Sequence, residues 1–181
     1  ETSIMLDKLK DLGFKYSTLS GISISIADIE ESEIKPQVIA ESQANVDKVN
    51  KQAKRGLITD RERYNKVVDI WMTAKQTISD ELAQKLKVNK DSPLSIMINS
   101  KARGDIGSYT QIVGMRGLFN TPSGDYVEIP VTSSFSEGIT ISEFFISTHG
   151  TRKGAVDTAL KTADAGYLTR RLVDVSQDII V

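Results

Sequence analysis

Five residues near the end of the chain have the types and spacing to handle nucleic acid. Lys153, Lys161 and Arg170 carry cationic donors, and Thr158 and Thr162 carry hydroxyls. Such groups hydrogen-bond phosphates and sugars. Around them stand small residues, Gly154, Ala155, Ala159, Ala163, Ala165 and Gly166, which let a flat or bulky ligand approach the backbone. Two more arginines, Arg103 and Arg116, stand apart in a stretch punctuated by Gly104, Gly107, Gly114 and Gly117. That pattern suggests tight turns or backbone held close to something. Earlier, Glu62, Asn65, Lys66 and Asp69 recur at i, i+3, i+4 and i+7, so a helix carries them on one face. His149 is the sole histidine and there is no cysteine. Without a nearby carboxylate pair it reads as structural, and no metal site is expected. No Ser/His/Asp arrangement, P-loop or GxGxxG before a helix is legible.

The five residues need a single long support. From about Thr140 to about Asp178 no proline intervenes, and Thr140-Ile141-Ser142-Glu143 has the form of a capping box at the start. A helix of that length spans on the order of 50 Å. Ile141, Phe144, Phe145 and Ile146 form an apolar anchor near its beginning. Leu168, Leu172, Val175 and Ile179 form another near its end. With a slim polar middle, the helix reads as a beam across a cleft, and the paired Gly150 and Gly154 predict a bend. Lysines and arginines on a helix are more often a solvated face, so spacing alone supports no more than a helical scaffold with a nucleic-acid-compatible beam.

The face at Glu62 also implies its supports. Ile39, Val46, Val49 and Ala53 on one stretch, and Tyr64, Val67, Trp71, Ala74 and Ile78 on the next, hold heptad-like spacing. Gly56 stops the first helix and Thr59-Asp60-Arg61-Glu62 caps the second. The pair reads as an antiparallel hairpin, either a solvated coiled coil or one that offers its tip to other proteins. Before it, Met5, Leu6, Leu9 and Leu12 predict a helix that ends at Gly13, and Ile22, Ile24 and Ile26 alternate with serines as in a strand or a short extended segment. After it, Thr121–Val131 reads as a β-hairpin about a Pro-Ser-Gly-Asp turn. The expected fold is mainly α: an antiparallel helical hairpin plus one long helix, with a small β-hairpin and loop region between them. The expected divisions are 1–36, 37–90, 91–138 and 139–181.

The 181 residues carry a formal net charge of −1, so whole-chain charge says nothing about nucleic acid. The absence of cysteine fits a reducing, cytoplasmic setting. No apolar run approaches the roughly 20 residues of a membrane span, and no signal peptide is visible. Helical pattern begins almost at Glu1, and QDIIV ends without a cap, as expected of a piece of a larger protein.

FISTHGTRKGAVDTALKTADAGYLTRRLVDVSQDIIV closely resembles the bridge helix of the largest catalytic (beta-prime) subunit of bacterial DNA-directed RNA polymerase. It departs from the family's usual form at Thr151, Ala155, Val156, Ala165 and Ser176. ARG at 102–104 and GMRGL at 114–118 resemble the F-loop, GLITDRERYNKVVDIW at 56–71 resembles the tip and second arm of the secondary-channel rim helices, and LGFKYS at 12–17 the segment leading into them. Lys101, Ser136 and Ser108-Tyr109 depart from the common pattern, as in a divergent bacterial lineage or a related viral or plasmid enzyme.

The resemblance implies a nucleotidyltransferase working with beta, alpha, omega and sigma subunits. The long helix would back the RNA–DNA hybrid, with Thr162 and Ala163 on the acceptor template base. Lys153, Thr158, Lys161, Tyr167 and Arg170 fall on the same functional stretch, and Arg103 matches an arginine that reaches the nucleoside triphosphate. Glu62, Asn65, Lys66 and Asp69 match positions where Gre-type cleavage factors and other channel regulators dock; guanosine tetraphosphate also binds there in some bacteria, with a partner protein. The family's Mg²⁺ is held by an NADFDGD motif that does not occur here, and its mobile trigger loop lies beyond Val181. The chain by itself is therefore expected to be inactive and to bind no cofactor. The alternatives are a fragment that serves as an interaction module for channel factors, and a standalone helical nucleic-acid binder.

Overall fold

A computed structural model describes residues 1–121 and 123–180. It is mainly helical. The elements run α1 (Thr2–Ser20), a 3₁₀ turn (Ile26–Asp28), α2 (Lys35–Lys54), α3 (Asp60–Val88), α4 (Pro93–Asn99), α5 (Ile106–Tyr109), a π-helical turn (Thr110–Gly114) and α6 (Ile141–Ser176).

The centre of the structure is α3. Val67, Trp71, Ala74, Ile78, Leu82 and Leu86 recur every three or four residues and are all buried, which places them on one stripe. The α2 helix covers part of it through Val46, with Val38 and Val49 half-buried beside it. Leu94 of α4, Tyr109 of α5, Val113 and Met115 complete the core. The π-helical turn lies so close to α3 that a Cβ on Gly114 would stand 2.8 Å from Ile78 Cγ2 and 3.1 Å from Leu82 Cδ1. Only glycine leaves room for that approach. The α2–α3 hairpin closes as its capping residues direct. Gly56 takes a left-handed φ of 71°, its N–H donates to Ala53 O at 2.9 Å, and the Leu57 N–H donates to Gln52 O at 3.1 Å; this paired closure is the Schellman motif. Thr59 then caps α3, its Oγ1 accepting from the Glu62 N–H at 3.3 Å. The reciprocal bond from Glu62 does not form, because its carboxylate pairs with Lys66 Nζ at 2.9 Å.

Several expectations are corrected. The first helix does not end at Gly13 but at Gly21, which takes φ 58°; an isolated glycine inside a helix costs only about 1 kcal/mol. Ile22, Ile24 and Ile26 form no strand, and all three are exposed. The β-hairpin reduces to two isolated antiparallel bridges, Gly117 with Val131 and Asn120 with Tyr126. Two residues on one arm, 118 and 119, face four on the other, 127–130, between those bridges, and Pro130 has no N–H to contribute; the Tyr126 N–H, which faces away from the other arm, donates to Tyr64 Oη of α3 at 2.8 Å. Pro122 of the expected turn and Val181 lie outside the described residues.

Two ion pairs fasten the loop region to the hairpin. Near the tip, Arg63 makes a two-pronged contact with Glu128, at 2.6 and 2.8 Å. Hydrogen bonding to the guanidinium holds the Glu128 carboxyl below its ordinary range. At the other end of the hairpin, the buried Lys35 pairs with Glu137.

Candidate nucleic-acid interface

The helix that carries the candidate residues is fixed at its N-terminus by one carboxylate. Thr140 Oγ1 accepts from the Glu143 N–H at 3.3 Å, and Glu143 accepts from the Thr140 N–H at 3.1 Å, completing the capping box. The same carboxylate accepts from the backbone N–H groups of Thr132 and Ser133, at 3.0 and 3.1 Å, and from Ser133 Oγ at 2.8 Å. Glu143 thus ties the preceding loop to the helix it starts. Burial pushes the Glu143 pKa up, but the hydrogen bonds from Ser133 and Thr140 outweigh it and bring it down to about 2. A depressed carboxyl pKa stabilises the fold fully above the ordinary value of 4.5, and that contribution is lost as pH falls through about 2. Protection of the amides of residues 141–146, relative to the unstructured chain at the same pH, is therefore expected to fall on acidification across that window. Glu143→Gln should exchange faster at neutral pH and lose this pH dependence; an unchanged profile would separate the cap from Glu143.

Two turns further on, α6 is gripped from the side. A Cβ placed on Gly150 would stand 2.5 Å from Phe119 Cδ1 and 3.2 Å from Cε1, so the phenyl ring lies against the helix backbone. The Arg116 guanidinium sits 4.8 Å from the Phe119 ring centre and 4.6 Å from that of Phe135. Its Nε is buried without a hydrogen-bond partner among the described residues, and burial lowers its pKa. Ser147 is also buried, its Oγ donating to Phe144 O at 2.8 Å.

Beyond Gly150 the helix stands largely free. Lys153 and Asp157 are half-buried, lining a cleft of about 860 Å³ with Trp71, Lys75, Phe119 and Gly154. Thr158, Lys161, Thr162, Ala163, Tyr167 and Arg170 are all exposed. So are the residues expected to anchor the ends: Ile141, Phe144 and Phe145 at the start, and Leu168, Leu172, Val175 and Ile179 at the finish, each at least half exposed. Only Ile146 is half-buried. Among the described residues these side chains find little to pack against beyond His149, whose ring meets that of Phe145. Their periodicity marked an apolar stripe, and what covers such a stripe is set outside the stripe itself.

The threonines are turned inward. Thr158 Oγ1 donates to Gly154 O at 2.8 Å, and Thr162 Oγ1 donates to Thr158 O at 2.7 Å. A hydroxyl has one proton to give and can still accept, so neither has a donor left for a phosphate, which only accepts. What Thr162 and Ala163 present outward is a slim surface suited to lie against a flat ring. Arg170 Nε lies 3.9 Å from Asp174 Oδ2, and the Arg171 guanidinium stacks 4.4 Å from the Tyr167 ring centre. His149 meets Phe145 edge to face at 5.8 Å.

The other candidate residues lie elsewhere. Arg103 is exposed in the bend between α4 and α5, outside the cleft that holds Lys153. Glu62 and Lys66 pair with each other, Asn65 borders a small cleft with Tyr64 and Tyr126, and Asp69 borders the groove between α2 and α3. Sequence reasoning singled out Arg116 only as an isolated arginine and did not identify Phe119, Phe135, Glu128 or Lys35. The one local signal for the grip was a glycine at 150 inside a helix. Among the described residues no group of histidines and carboxylates could hold a metal ion, so these residues do not fit a Mg²⁺ site. No helix among them is long and apolar enough to cross a membrane.

A helical hairpin braced by a loop region and continued by a long, slim, largely uncovered helix is an architecture that sequence comparison can place. Residues 58–145 match the family RNA polymerase Rpb1, domain 4, and residues 138–181 match RNA polymerase Rpb1, domain 5. The DNA-directed RNA polymerase subunit beta′ of Staphylococcus aureus is 56% identical over all 181 residues, which cover 100% of this chain and 17% of that protein. The subunits of the Mu50 / ATCC 700699 and N315 strains are also 56% identical over the whole chain, which covers 15% of each. The chain belongs to the beta′ family of bacterial RNA polymerase largest subunits, and spans about a sixth of the length of these curated relatives.

Proposed function

We propose that this segment works within DNA-directed RNA polymerase as the helix that borders the active-site cleft, together with the hairpin that rims the nucleotide-entry channel. The observation that carries the reading is α6 itself. Its 36 residues span about 54 Å at 1.5 Å each, and among the described residues the grip on them lies chiefly between Thr140 and Gly150. The uncovered remainder presents small residues at 159–166, a surface that lets a template base and the RNA–DNA hybrid come against the backbone. Thr162 and Ala163 would meet the base, while Lys153, Lys161, Tyr167 and Arg170, flanking them on the same helix, would face the hybrid. Threonine hydroxyls bonded back to i−4 carbonyls bend helices slightly, which suits a helix that flexes as the template advances.

Arg103, exposed and without an ion-pair partner among the described residues, is free to meet the triphosphate of an incoming nucleotide, where guanidinium geometry suits phosphate oxygens. At the hairpin, Glu62, Asn65, Lys66 and Asp69 would receive cleavage factors and other channel regulators. The beta, alpha, omega and sigma subunits would surround the segment and cover the apolar side chains that stand exposed on α1, such as Leu6, Leu9 and Phe14, and on α6. The metal chemistry of nucleotidyl transfer would come from residues of the full subunit outside this chain; the residues here orient template and nucleotide.

In polymerase assembled with the full-length subunit, Arg103→Ala is expected to raise the nucleotide concentration for half-maximal addition by about tenfold or more, the loss of one charge-assisted contact of about 1.5–3 kcal/mol. Unchanged concentration dependence would remove Arg103 from the nucleotide path.

A further inference from the structure

We propose that Phe119 is a positioning residue that seats α6 at Gly150, and that Gly150 is glycine because the ring occupies the space a side chain would need. This rests on the reading of α6 as a functional beam, and adds how that beam is aimed. A Cβ at Gly150 would meet Phe119 Cδ1 at 2.5 Å, closer than real side chains approach one another. The ring cannot simply swing away. Arg116 lies against it at 4.8 Å and is itself backed by Phe135 at 4.6 Å. The Arg116 Nε, buried with no hydrogen-bond partner among the described residues, marks a guanidinium held by stacking. The four residues form one stack from the loop before α6, through the 116–119 segment, to the helix backbone. At Gly154, one turn on, a Cβ would meet nothing within 4 Å. The seat is therefore a point support, and what lies beyond it moves as a lever. Thr162 is twelve residues past Gly150, about 18 Å along the axis, so a tilt of about 5° at the seat shifts it by about 1.6 Å. Displacements near 1 Å are enough to cost about a hundredfold in a positioned reaction.

Helix propensity and the seat make opposite demands at residue 150. Alanine is the better helix former, so on propensity alone Gly150→Ala should firm up α6. With the ring in place it should lift the helix off its seat. The test uses polymerase assembled with the full-length subunit carrying Gly150→Ala, Phe119→Ala or both. Amide exchange at residues 147–154 is expected to be faster in Gly150→Ala than in wild type. In the Phe119→Ala background the same Gly150→Ala change should make it slower, because the new methyl fills the vacated space. Slower exchange in both backgrounds, or faster in both by the same factor, would overturn the seat. Single-nucleotide addition on the same preparations reads the consequence. Gly150→Ala is expected to lower the maximal rate about tenfold or more without shifting the nucleotide concentration for half-maximal rate, and the double variant should recover at least about fivefold. If exchange reverses sign as stated while addition rates stay at wild type, the seat stands and the role given to α6 in nucleotide addition falls.

Discussion

Trp71→Ala is expected to destabilise the 181-residue chain by about 3–5 kcal/mol, the usual cost of truncating a buried large aromatic to alanine. Trp71 is 2% exposed and sits at the crossing of the three layers. It borders one cleft with Val46 of α2 and Glu128 to Pro130 of the loop region, and another with Phe119 and Gly150. Its removal would empty the space that α2, α3 and the loop share, and none of the three can collapse into it without leaving the others. Single domains are stable by about 5–15 kcal/mol, so much of the total is at stake. Urea unfolding followed by circular dichroism gives the value. Trp71→Phe should cost clearly less, since it keeps an aromatic ring in the core. A Trp71→Ala loss below about 1 kcal/mol would mean that the hairpin and the loop region do not pack through this residue.

The second large effect is expected at the far end of the lever. In assembled polymerase, Thr162→Phe should slow nucleotide addition by about a hundredfold, the penalty of moving a reactant out of position by about 1 Å. Thr162 is exposed, and its hydroxyl proton is committed to Thr158 O, so what it offers a neighbour is a small, flat surface. A ring there would stand where the template base is proposed to lie. Thr162→Val keeps the outline and deletes only the backward hydrogen bond, so it should stay within about threefold of wild type, an i−4 back-bond contributing little to the helix. A Thr162→Val defect as deep as that of Thr162→Phe would show that the hydroxyl, and not the outline, carries the role.

Local rules reached far into this fold. Thr59 and Thr140 were legible as caps, Gly56 as a stop, and the Val67–Trp71–Ala74–Ile78 stripe as a core face, because each depends on neighbours within a few residues. The resemblance carried by FISTHGTRKG and its continuation placed the family. Rules of the same kind misjudged Gly13, where the helix ran through the glycine, and Ile22, Ile24 and Ile26, where alternation found no partner strand. The hairpin at 121–131 shrank to two bridges because its arms are unequal: two residues, 118 and 119, face the four at 127–130. Three contacts that position α6 join residues far apart in sequence: Arg63 to Glu128, 65 residues on; Lys35 to Glu137, 102 residues on; and Phe119 to Gly150. Nothing local to 119 announces that its ring will lie on a helix backbone. The glycine at 150 was visible as a place where the helix could bend; the neighbour that needs its space was not.

What touches the template base can be read by cross-linking. In an elongation complex, a photoreactive thio-substituted thymine at the template position that pairs with the incoming nucleotide can be cross-linked at near-zero length, and the adduct mapped by peptide sequencing. The adduct is expected within residues 158–167, centred on Thr162 and Ala163. Adducts confined to other parts of the polymerase, with none in α6 of a complex that still extends its RNA, would contradict it.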